Sequence, residues 1–443
     1  MCVTRAGLPP SPRLRRAGKA LRDGRPSFHW RAGSDYHRHV RAERHPDRPL
    51  VTRRRILGQL AAGGFLLAGG PLDALFAAAA PVRLPACGPD PFAGAAFLDT
   101  LPLTGEGAIT LPFHQLLGRG LDARLVTDLS RLRPDRLITP ANEFYIRTSY
   151  PDRLQPPDPW TIAVGGAVRS DQTLRLDDLR ADEGSRGVSL MECAGNANPA
   201  DFGLMSAAGW TGIPLDRVLE RTTPLAGARR VLISGADQHS MTSRRSTPGA
   251  SWIFTPDELA EAGAFLATGM NDEALTPDHG APVRLVVPGW YGAVAVKWVN
   301  EIRWVGDDEP ATAHMREFAA RTHQQGIPPL AREFAPAIVR HAAMPVRVER
   351  WRVGEDVMYR VVGILWGGRQ VTDRLQIRFT HAEPYEPVAV CPAPETTRTW
   401  TLWSHAWRPR GPGRYRIVLR IDDEEIPTPR LDMYFYARDV WIA

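Results

Sequence analysis

The C-terminal part of the chain has a repeating pattern that few folds can accommodate. From residue 345 onward, short segments such as "RLQIRFTHA", "TRTWTLWSHAW" and "GRYRIVLRIDD" alternate apolar and polar side chains. Gly and Pro turns separate these segments at spacings of about ten residues, which is typical of antiparallel strands in a two-sheet domain. The pattern therefore predicts an all-β sandwich over residues 345–443.

Residues 81–310 have a different pattern, in which predicted strands are mixed with short helices. "WTIAVGGAV" and "RRVLISGAD" are typical of strands, whereas "PLDRVLERT" has helical spacing. Thr255 followed by Glu258 predicts a capping box at the start of another helix. Without regular β-α-β alternation, this mixture favours an α+β domain. Residues 311–344, rich in Pro, Ala and Arg, are predicted to connect the two domains.

The positive charge of the chain is confined to its N-terminal end. Residues 1–50 have a net charge of +8 and residues 51–80 of +2, whereas residues 81–443 have a net charge of −4. The sequence pI near 9.4 would suggest a nucleic-acid partner. Because the body of the protein is mildly acidic, we expect no nucleic-acid binding.

Residues 51–80 have the layout of an export signal, with a basic start, a Gly/Ala-rich apolar stretch and a small-residue end. Thr52–Leu57, "TRRRIL", resembles the twin-arginine signal, whose pathway carries proteins already folded around a cofactor. A transmembrane anchor is the alternative, although Pro71, Asp73 and several glycines interrupt the span. We interpret residues 1–50 as a disordered extension or as translation from a start assigned too early, and we expect a periplasmic or otherwise exported protein.

The cysteines add a constraint, because an exported chain is open to disulfide formation. Beyond Cys2 in the leader, the chain contains Cys87, Cys193 and Cys391, and three cysteines cannot all pair within one chain. Their spacings contain no CxxC, zinc-knuckle or CxxCH motif. We expect Cys391 to be a buried thiol, with a disulfide to Cys87 as the alternative.

Cys193 lies in "SLMECAGNANPADFGLMSAAGW", between an apolar run and small or amide residues. A cysteine at the end of an apolar strand is most often a small buried hydrophobic residue. However, Gly195 leaves the backbone open to a large ligand, and a thiolate binds transition metals well. A single thiolate implies that a cofactor would supply the remaining ligands.

Three segments carry a family resemblance: "NEFYIR" (Asn142–Arg147), "ECAGN" (Glu192–Asn196) and "DHGAPVRLVVPGWYGAVAVKWV" (Asp278–Val299). In these segments the chain resembles the sulfite oxidase family of molybdopterin enzymes. Its C-terminal part, with "VGILWGG", is similar to the family's immunoglobulin-like dimerisation domain. The resemblance covers residues 95–435. It implies a sulfite-oxidase-like molybdopterin-binding domain followed by an immunoglobulin-like sandwich, and a homodimer.

The resemblance implies that Cys193 binds molybdenum, with pterin dithiolene and oxo groups completing the coordination. The implied cofactor-binding residues are Asn142, Tyr145, Cys193, His279, Arg284, Ala295, Val296 and Lys297. A guanidinium can fork onto two phosphate oxygens, which suits the Arg284 position. Two simpler interpretations remain open: His279 as a turn cap and Lys297 as an outward-facing strand residue.

The family surrounds sulfite with arginines, and this chain departs from that pattern. Arg147 matches one of them and is the implied catalytic partner of Cys193. Asn198 stands in place of a second arginine, Ser149 in place of a histidine, and Phe318 near the position of a tyrosine. Losing a guanidinium from a partly buried anion site costs about 2–5 kcal/mol. We therefore expect a substrate less charged than sulfite, such as an organic sulfur or nitrogen oxide. The predicted substrate pocket comprises Arg147, Asn198, Phe202, Trp210 and Trp290.

The predicted function is oxygen-atom transfer on a small substrate containing sulfur or nitrogen. Because the sequence carries no haem or cluster motif, we expect electrons to pass to a separate protein, such as a cytochrome or a membrane quinone subunit. A reductase of sulfoxides or of methionine sulfoxide, and a secreted non-catalytic binding protein, are the alternatives. We interpret Asp237 and His239 as loop residues without a catalytic role.

Overall fold

A computed structural model describes most of the chain beyond the predicted export signal, within the compact unit formed by residues 77–443. The described residues are 88–105, 108, 111–196, 202–244, 246–426, 431–432 and 436–443. The predicted leader, the export signal and Asn198 therefore lie outside the described residues.

Two sheets, one mixed and one antiparallel, contain most of the strands of the described chain that precede residue 310. Their strands are β4 (Thr161–Gly166), β5 (Gln172–Arg175), β6 (Gly184–Glu192), β7 (Met205–Pro214), β8 (Arg230–Gly235), β9 (Ser251–Phe254), β10 (Phe265–Met270), β11 (Glu273–Ala274), β12 (Arg284–Val286) and β13 (Val299–Val305). The first sheet has the strand order β5-β4-β13-β8-β9, and the second has the order β11-β10-β7-β6 with β12 also paired to β10. In these sheets only β4 and β13 run parallel among the described pairs.

The α-helices between these strands are short. They are α1 (Leu176–Leu179), α2 (Leu215–Leu219), α3 (Pro256–Ala262) and α4 (Ala313–Phe318). The predicted capping box is confirmed, because the hydroxyl of Thr255 accepts from the amide of Glu258 and the Glu258 carboxylate accepts from the amide of Thr255. Strands outweigh helices more strongly than the α+β prediction implied. Among the described residues, no helix has the length and apolar character needed to span a membrane.

A short two-stranded ribbon leads into the region of the predicted site. It pairs β2 (Arg124–Leu125) with β3 (Ile146–Arg147) in antiparallel register. The sequence pattern of "EFYIRTSY" predicted a longer strand. Only its centre is extended in the ladder, because Ala141–Glu143 form a 3-10 turn just before it.

Two further sheets contain the strands of the C-terminal part. Their strands are β1 (Ala96–Leu101), β14 (Ala342–Val353), β15 (Asp356–Trp366), β16 (Leu375–Arg378), β17 (Glu386–Pro387), β18 (Ala389–Val390), β19 (Thr401–Trp407), β20 (Gly413–Ile421) and β21 (Arg438–Ile442). The strand orders are β1-β14-β15-β19-β18 and β17-β16-β20-β21. Strand β14 contacts both β20 and β21 of the other sheet. The immunoglobulin-like assignment of these sheets stays a prediction.

Cys391 differs from its expected state. It is joined in a disulfide rather than being a buried thiol. Its partner lies outside the described residues, and the sequence leaves Cys2 and Cys87 as the candidates because Cys193 is free. The alternation of a strand says nothing about a sulfur–sulfur contact made by a distant segment, so the residue pattern had no means of deciding this.

The C-terminal sheets are bonded directly to the part that holds the predicted site. The indole N–H of Trp400 donates to the carbonyl of Leu137 at 2.9 Å. A guanidinium nitrogen of Arg347 donates to the carbonyl of Leu132 at 2.6 Å. These contacts, together with a continuous buried apolar cluster, give the site a rigid support.

Candidate functional site

A cavity brings together most of the predicted site residues. The sequence-predicted residues that line it are Tyr145, Arg147, Cys193, His279, Arg284, Ala295, Val296 and Lys297. They come from three separate segments of the chain, so only the tertiary structure makes them neighbours.

Cys193 follows directly after the last residue of β6. Its amide donates to the carbonyl of Leu204 at 2.9 Å, and its Sγ accepts from the amide of Gly195 at 3.3 Å. The thiol is free and lines the cavity. Within the described part of the chain, no group of three or more His, Cys, Asp or Glu side chains is arranged to hold a metal. A metal at Cys193 would therefore need further ligands from a bound cofactor.

Glu192, whose role the sequence did not suggest, fixes the loop that carries Cys193. One carboxylate oxygen accepts from the Asn196 amide group at 3.1 Å, and the other accepts from the Trp366 indole at 2.8 Å. Burial raises the pKa of Glu192 to about 7, and the two hydrogen bonds oppose this rise. Since Trp366 belongs to β15, a C-terminal strand helps to position the thiol loop.

One side of the cavity, here termed the cofactor wall, gathers cationic and polar groups. It consists of Tyr145, His279, Arg284, Ala295, Val296 and Lys297. Gly280 is needed beneath it, because its φ is +106° and a β-carbon there would lie 3.0 Å from Cβ of Arg284 and 3.1 Å from Cβ of Lys297. The "HG" step of the sequence motif thus allows the two basic residues to approach each other.

Arg284 is a buried guanidinium that forms no salt bridge with any described residue. Its Nη atoms donate to the carbonyls of His279 at 3.0 Å and Ala295 at 3.1 Å, and its buried Nε has no partner among the residues that the structure describes. Burial lowers the pKa of Arg284 to about 10. A buried cation without a counter-ion is costly, so this geometry calls for an anionic ligand. Molybdopterin, with its phosphate and dithiolene, meets that requirement.

Lys297 completes the basic character of the cofactor wall. Its Nζ donates to the carbonyl of Asp278 at 2.8 Å and also to that of Thr148, and it lies 4.6 Å from the ring centre of Trp298. Burial depresses its pKa well below the usual range. Because the side chain points into the cavity, the alternative of an outward-facing strand lysine is excluded.

His279 is held as a neutral imidazole. Its Nδ1 lies 2.7 Å from the hydroxyl of Thr276, and its Nε2 lies 3.2 Å from the carbonyl of Phe144. Because a carbonyl only accepts, Nε2 carries the hydrogen. Burial lowers the pKa of His279 to about 4. The residue ends a 3-10 turn, so the turn-cap interpretation and the cavity-lining prediction both describe it.

A second set of cavity-lining residues, here termed the outer wall, consists of Asp237, Thr247, His314, Glu317 and Phe318. The sequence analysis assigned no role to most of these residues. His314 and Glu317 share one face of α4 because they stand three residues apart. This spacing was the only sequence signal that could have linked them to one site. Asp237 is a loop residue after β8, as predicted, and it also lines the cavity.

Asp237 is held in place by backbone groups. One carboxylate oxygen accepts from the amide of Gly249 at 2.9 Å, and the other lies 2.7 Å from Nε2 of His239. Burial alone would raise the pKa of Asp237, but the contact with His239 and the amide hydrogen bonds outweigh it and lower the pKa. The outer wall therefore carries a carboxylate that stays ionised.

Arg147 also lines the cavity, and its guanidinium is partly engaged by the protein. Its guanidinium donates to the carbonyl of Leu121 and to the hydroxyl of Ser246. Burial lowers its pKa, while nearby Cys193 and other acidic groups oppose this. A second guanidinium was missed: a β-carbon built on Gly195 would lie 3.7 Å from Nη1 of Arg321. No sequence motif indicated that Arg321 stands beside the thiol loop.

Two predicted site residues lie outside the cavity. Asn142 is exposed on the 3-10 turn before β3. Trp290 is buried against Phe254, with ring centres 5.6 Å apart, and does not line the cavity. Adjacent motif residues alternate in direction along the backbone, so neighbours of a cavity residue need not face the cavity themselves.

Phe202 and Trp210 also differ from the prediction that they form the substrate pocket. Phe202 packs against Trp366, with ring centres 6.2 Å apart, and so joins the core beneath the C-terminal sheet. Trp210 lies behind the cofactor wall, 5.8 Å from the Arg284 guanidinium carbon. Ser149, at the family's histidine position, accepts from the amide of Gly120 at 2.6 Å and does not reach the cavity.

Comparisons with known proteins agree with this geometry. The family model described as "Oxidoreductase molybdopterin binding domain" matches residues 148–313. The catalytic subunit MsrP of a protein-methionine-sulfoxide reductase from Xanthomonas axonopodis pv. citri is 34% identical over 35% of this chain and 47% of its own. The nitrate reductase [NADPH] of Neurospora crassa is 31% identical over 39% of this chain and 21% of its own.

A solved structure extends the likeness to the fold. The sulfane dehydrogenase SoxCD from Paracoccus pantotrophus aligns with a TM-score of 0.55 and 18% identity, over 73% of this chain and 86% of that chain. The chain spans about a fifth of the length of the nitrate reductases and less than half of the MsrP relative. The resemblance identified from the sequence motifs is confirmed at the level of this domain, because residues 148–313 match the oxidoreductase molybdopterin-binding domain.

Proposed function

We propose that this protein catalyses oxygen-atom transfer on a small sulfur- or nitrogen-containing substrate, with molybdopterin-bound molybdenum at Cys193. One observation carries the proposal: a free cysteine and a buried guanidinium without a counter-ion among the described residues line the same cavity. When bound, the molybdenum cofactor supplies the two-electron redox chemistry. The protein supplies the thiolate, the cationic cradle and the exclusion of water.

In this proposal the cofactor wall binds the pterin. Arg284 and Lys297 neutralise its negative charge, the Tyr145 hydroxyl contributes a hydrogen bond, and neutral His279 lines the wall with both ring nitrogens already bonded within the protein. The backbone at Ala295 and Val296 lies against the ring system. Buried donors already fixed by carbonyl groups need little reorganisation when an anion arrives, which favours tight and oriented binding.

The charges near Cys193 support a substrate less charged than sulfite. Arg147 is already engaged by a carbonyl and a hydroxyl, and the carboxylates of Asp237 and Glu317 line the same cavity. A dianion would meet both carboxylates at close range. An S–O or N–O dipole needs only one strong donor for its oxygen, and Arg147 is suited to that role.

Reduction of a sulfoxide is the second candidate, and it gains support from a specific relative. The protein named as a methionine-sulfoxide reductase catalytic subunit is 34% identical to this chain over 160 residues. Oxidation and reduction use the same atom transfer in opposite directions. The reduction potential of the bound metal decides between them.

The remaining parts of the proposal concern the cellular context. We infer that the protein is exported by the twin-arginine route, passes electrons singly to a separate protein such as a cytochrome, and forms a homodimer through immunoglobulin-like C-terminal sheets. Sedimentation of the purified holoprotein tests the dimer. Sequencing the N-terminus of the mature protein tests export and cleavage.

The decisive experiment combines metal analysis with a substrate panel. Purified holoprotein should contain about one molybdenum and one pterin per chain, and it should turn over sulfoxides or N-oxides faster than sulfite with artificial electron carriers. Cys193→Ser should abolish turnover while the far-ultraviolet circular dichroism is kept. Protein that lacks pterin and molybdenum after expression with the cofactor would favour a secreted binding protein instead.

A further inference from the structure

The guanidinium of Arg321 stands beside the loop that carries Cys193. A β-carbon built on Gly195 would lie 3.5 Å from the Cys193 sulfur and 3.7 Å from Nη1 of Arg321. One point in space is thus within 4 Å of both the sulfur and the guanidinium. Because glycine has no side chain, nothing at position 195 separates the guanidinium from the thiol.

Arg321 is held at the edge of the cavity without an acidic partner. It belongs to the 3-10 turn Ala320–Thr322, which follows α4. The hydroxyl of Thr322 donates to the carbonyl of Phe318 at 3.0 Å and so fixes this turn against the helix. The guanidinium carbon of Arg321 lies 5.5 Å from the ring centre of Phe318, which lines the cavity. Arg321 is exposed, and its side chain forms no salt bridge or hydrogen bond with any described residue.

Arg147, the other guanidinium near Cys193, is in a different state. It donates to the carbonyl of Leu121 and to the hydroxyl of Ser246, so part of its donor capacity is used within the protein. Burial lowers the pKa of Arg147, and the positive charge of Arg321 adds to this effect, whereas Cys193 opposes it. Two cations that influence each other repel, and an anion bound to Arg321 reduces that repulsion. The donors of Arg321 are therefore the ones available to an acidic ligand.

The carboxylates that line the cavity are tied to another segment of the chain. Glu317 accepts from the amide of Thr247 at 2.6 Å, and Asp237 accepts from the amide of Gly249 at 2.9 Å. Neither carboxylate forms a salt bridge with Arg321, so the positive charge beside the thiol loop is not neutralised from within the described chain. An acidic group on a ligand is consequently attracted toward Arg321 and away from these carboxylates.

We propose that Arg321 is a specificity-determining residue that binds an acidic group of the substrate. The preferred substrate is then a small sulfoxide or N-oxide that carries one carboxylate or a similar anionic group. The inference rests on the function proposed above and names its substrate class. Arg147 receives the S–O or N–O oxygen, and Arg321 receives the acidic group at the edge of the cavity. A guanidinium binds a carboxylate through two parallel hydrogen bonds, which also orients the substrate.

The test compares two sulfoxides of the same size, methylsulfinylacetate and methylsulfinylacetamide, which differ by one negative charge. Each turnover takes two electrons from an artificial carrier and two protons from solvent, and yields the sulfide and one water molecule. Wild-type holoprotein should have about tenfold higher kcat/KM for the acid at low ionic strength, because a hydrogen bond to an ionised group is strong but exposure weakens it. Arg321→Gln should lose this preference through a higher KM for the acid, with kcat and the kinetics of the amide unchanged.

Two further variants separate charge from position. Arg321→Lys keeps the positive charge but not the two parallel donors, so it should retain part of the preference for the acid. Arg316→Gln removes an exposed arginine of α4 and should match the wild type with both sulfoxides. A loss of preference in Arg316→Gln as large as that in Arg321→Gln would assign the effect to overall charge and contradict a site at Arg321.

A binding measurement separates this inference from the proposed function. Methylsulfonylacetate, a sulfone with the same acidic group, is titrated into holoprotein by calorimetry. Wild type should bind it about tenfold more tightly than Arg321→Gln. If wild type shows this difference but transfers no oxygen atoms, the proposed function fails and the acidic-group site stands. The inference is overturned if the two proteins bind the sulfone equally, or if active wild type does not distinguish the acid from the amide.

Discussion

The two walls of the cavity contain similar numbers of polar groups, but they differ in which of these groups have hydrogen-bond partners. On the cofactor wall, His279 and Lys297 are bonded to carbonyl or hydroxyl groups, and the remaining free position among the described residues is a cationic donor on Arg284. On the outer wall, His314 and Glu317 keep acceptors that no described residue satisfies. The cofactor wall is thus prepared for a permanent anionic ligand. The outer wall offers two buried acceptors that a bound hydrogen-bond donor would satisfy.

The largest effect is expected where the cofactor wall loses its charge. Arg284→Met should weaken cofactor retention by tens- to thousandfold, since truncating one partner of a buried charge pair costs about 2–5 kcal/mol. The cofactor-free protein should unfold at the same or a higher urea concentration, because a buried unpaired charge has been removed. Pterin content and urea unfolding measure the two effects, with exposed Arg332→Met as the control. Equal loss of stability with and without cofactor would contradict the distinction between the walls.

A pH effect follows from His279 on the cofactor wall. Burial holds its folded-state pKa at about 4, below the ordinary value of 6.5. The folded protein therefore binds fewer protons, so this stability is present above pH 6.5 and is lost as the pH falls toward 4. The expected loss is about 3 kcal/mol in the cofactor-free protein. Urea unfolding across this pH range measures it, and His279→Gln should remove its own share of the pH dependence, while His323, whose pKa burial also lowers to about 4, keeps contributing. If the free energy of unfolding of His279→Gln depends on pH as it does in the wild type, other groups cause that dependence.

An intermediate effect is expected at the thiol loop, which belongs to neither wall. Trp366→Phe removes the donor to Glu192 and leaves a buried carboxylate oxygen unpaired. The free energy of unfolding should fall by about 1–3 kcal/mol. Trp441→Phe is a matched control, because that indole is 64% exposed. Urea unfolding of the wild type, Trp366→Phe and Trp441→Phe measures this loss. Equal unfolding midpoints for the two variants would mean that the thiol loop does not depend on β15.

The smallest effect is expected at Asn142. Its side chain is exposed outside the cavity, so Asn142→Ala should change stability by no more than about 0.5 kcal/mol and leave pterin content unchanged. Tyr145→Phe, three residues along and on the cofactor wall, should lower pterin content. Similar pterin content in the two variants would mean that Tyr145 does not belong to the cofactor wall.

The cavity-lining residues of the segment Asp278–Val299 could be predicted from the sequence, whereas those of the outer wall could not. His279, Arg284 and Lys297 lie within twenty residues of one another in the segment Asp278–Val299, and the family resemblance of that segment carried their prediction. His314 and Glu317 reach the cavity only because α4 packs beside β9. Phe202, Trp210 and Trp290 were misplaced because an aromatic residue near a motif serves a core as readily as a pocket.

The sequence by itself determined the chemical inventory of this protein: one thiol in a motif of its own, one basic motif around Gly280 and strand-forming segments on both sides of the connector. These features depend on residue type and on short spacings, both of which are visible in the local sequence. Only the tertiary structure decided which side chains face the cavity, that Glu192 is held by Trp366, and which buried atoms of the described residues lack partners. Those facts arise from contacts between residues far apart in the chain, and no local pattern records them.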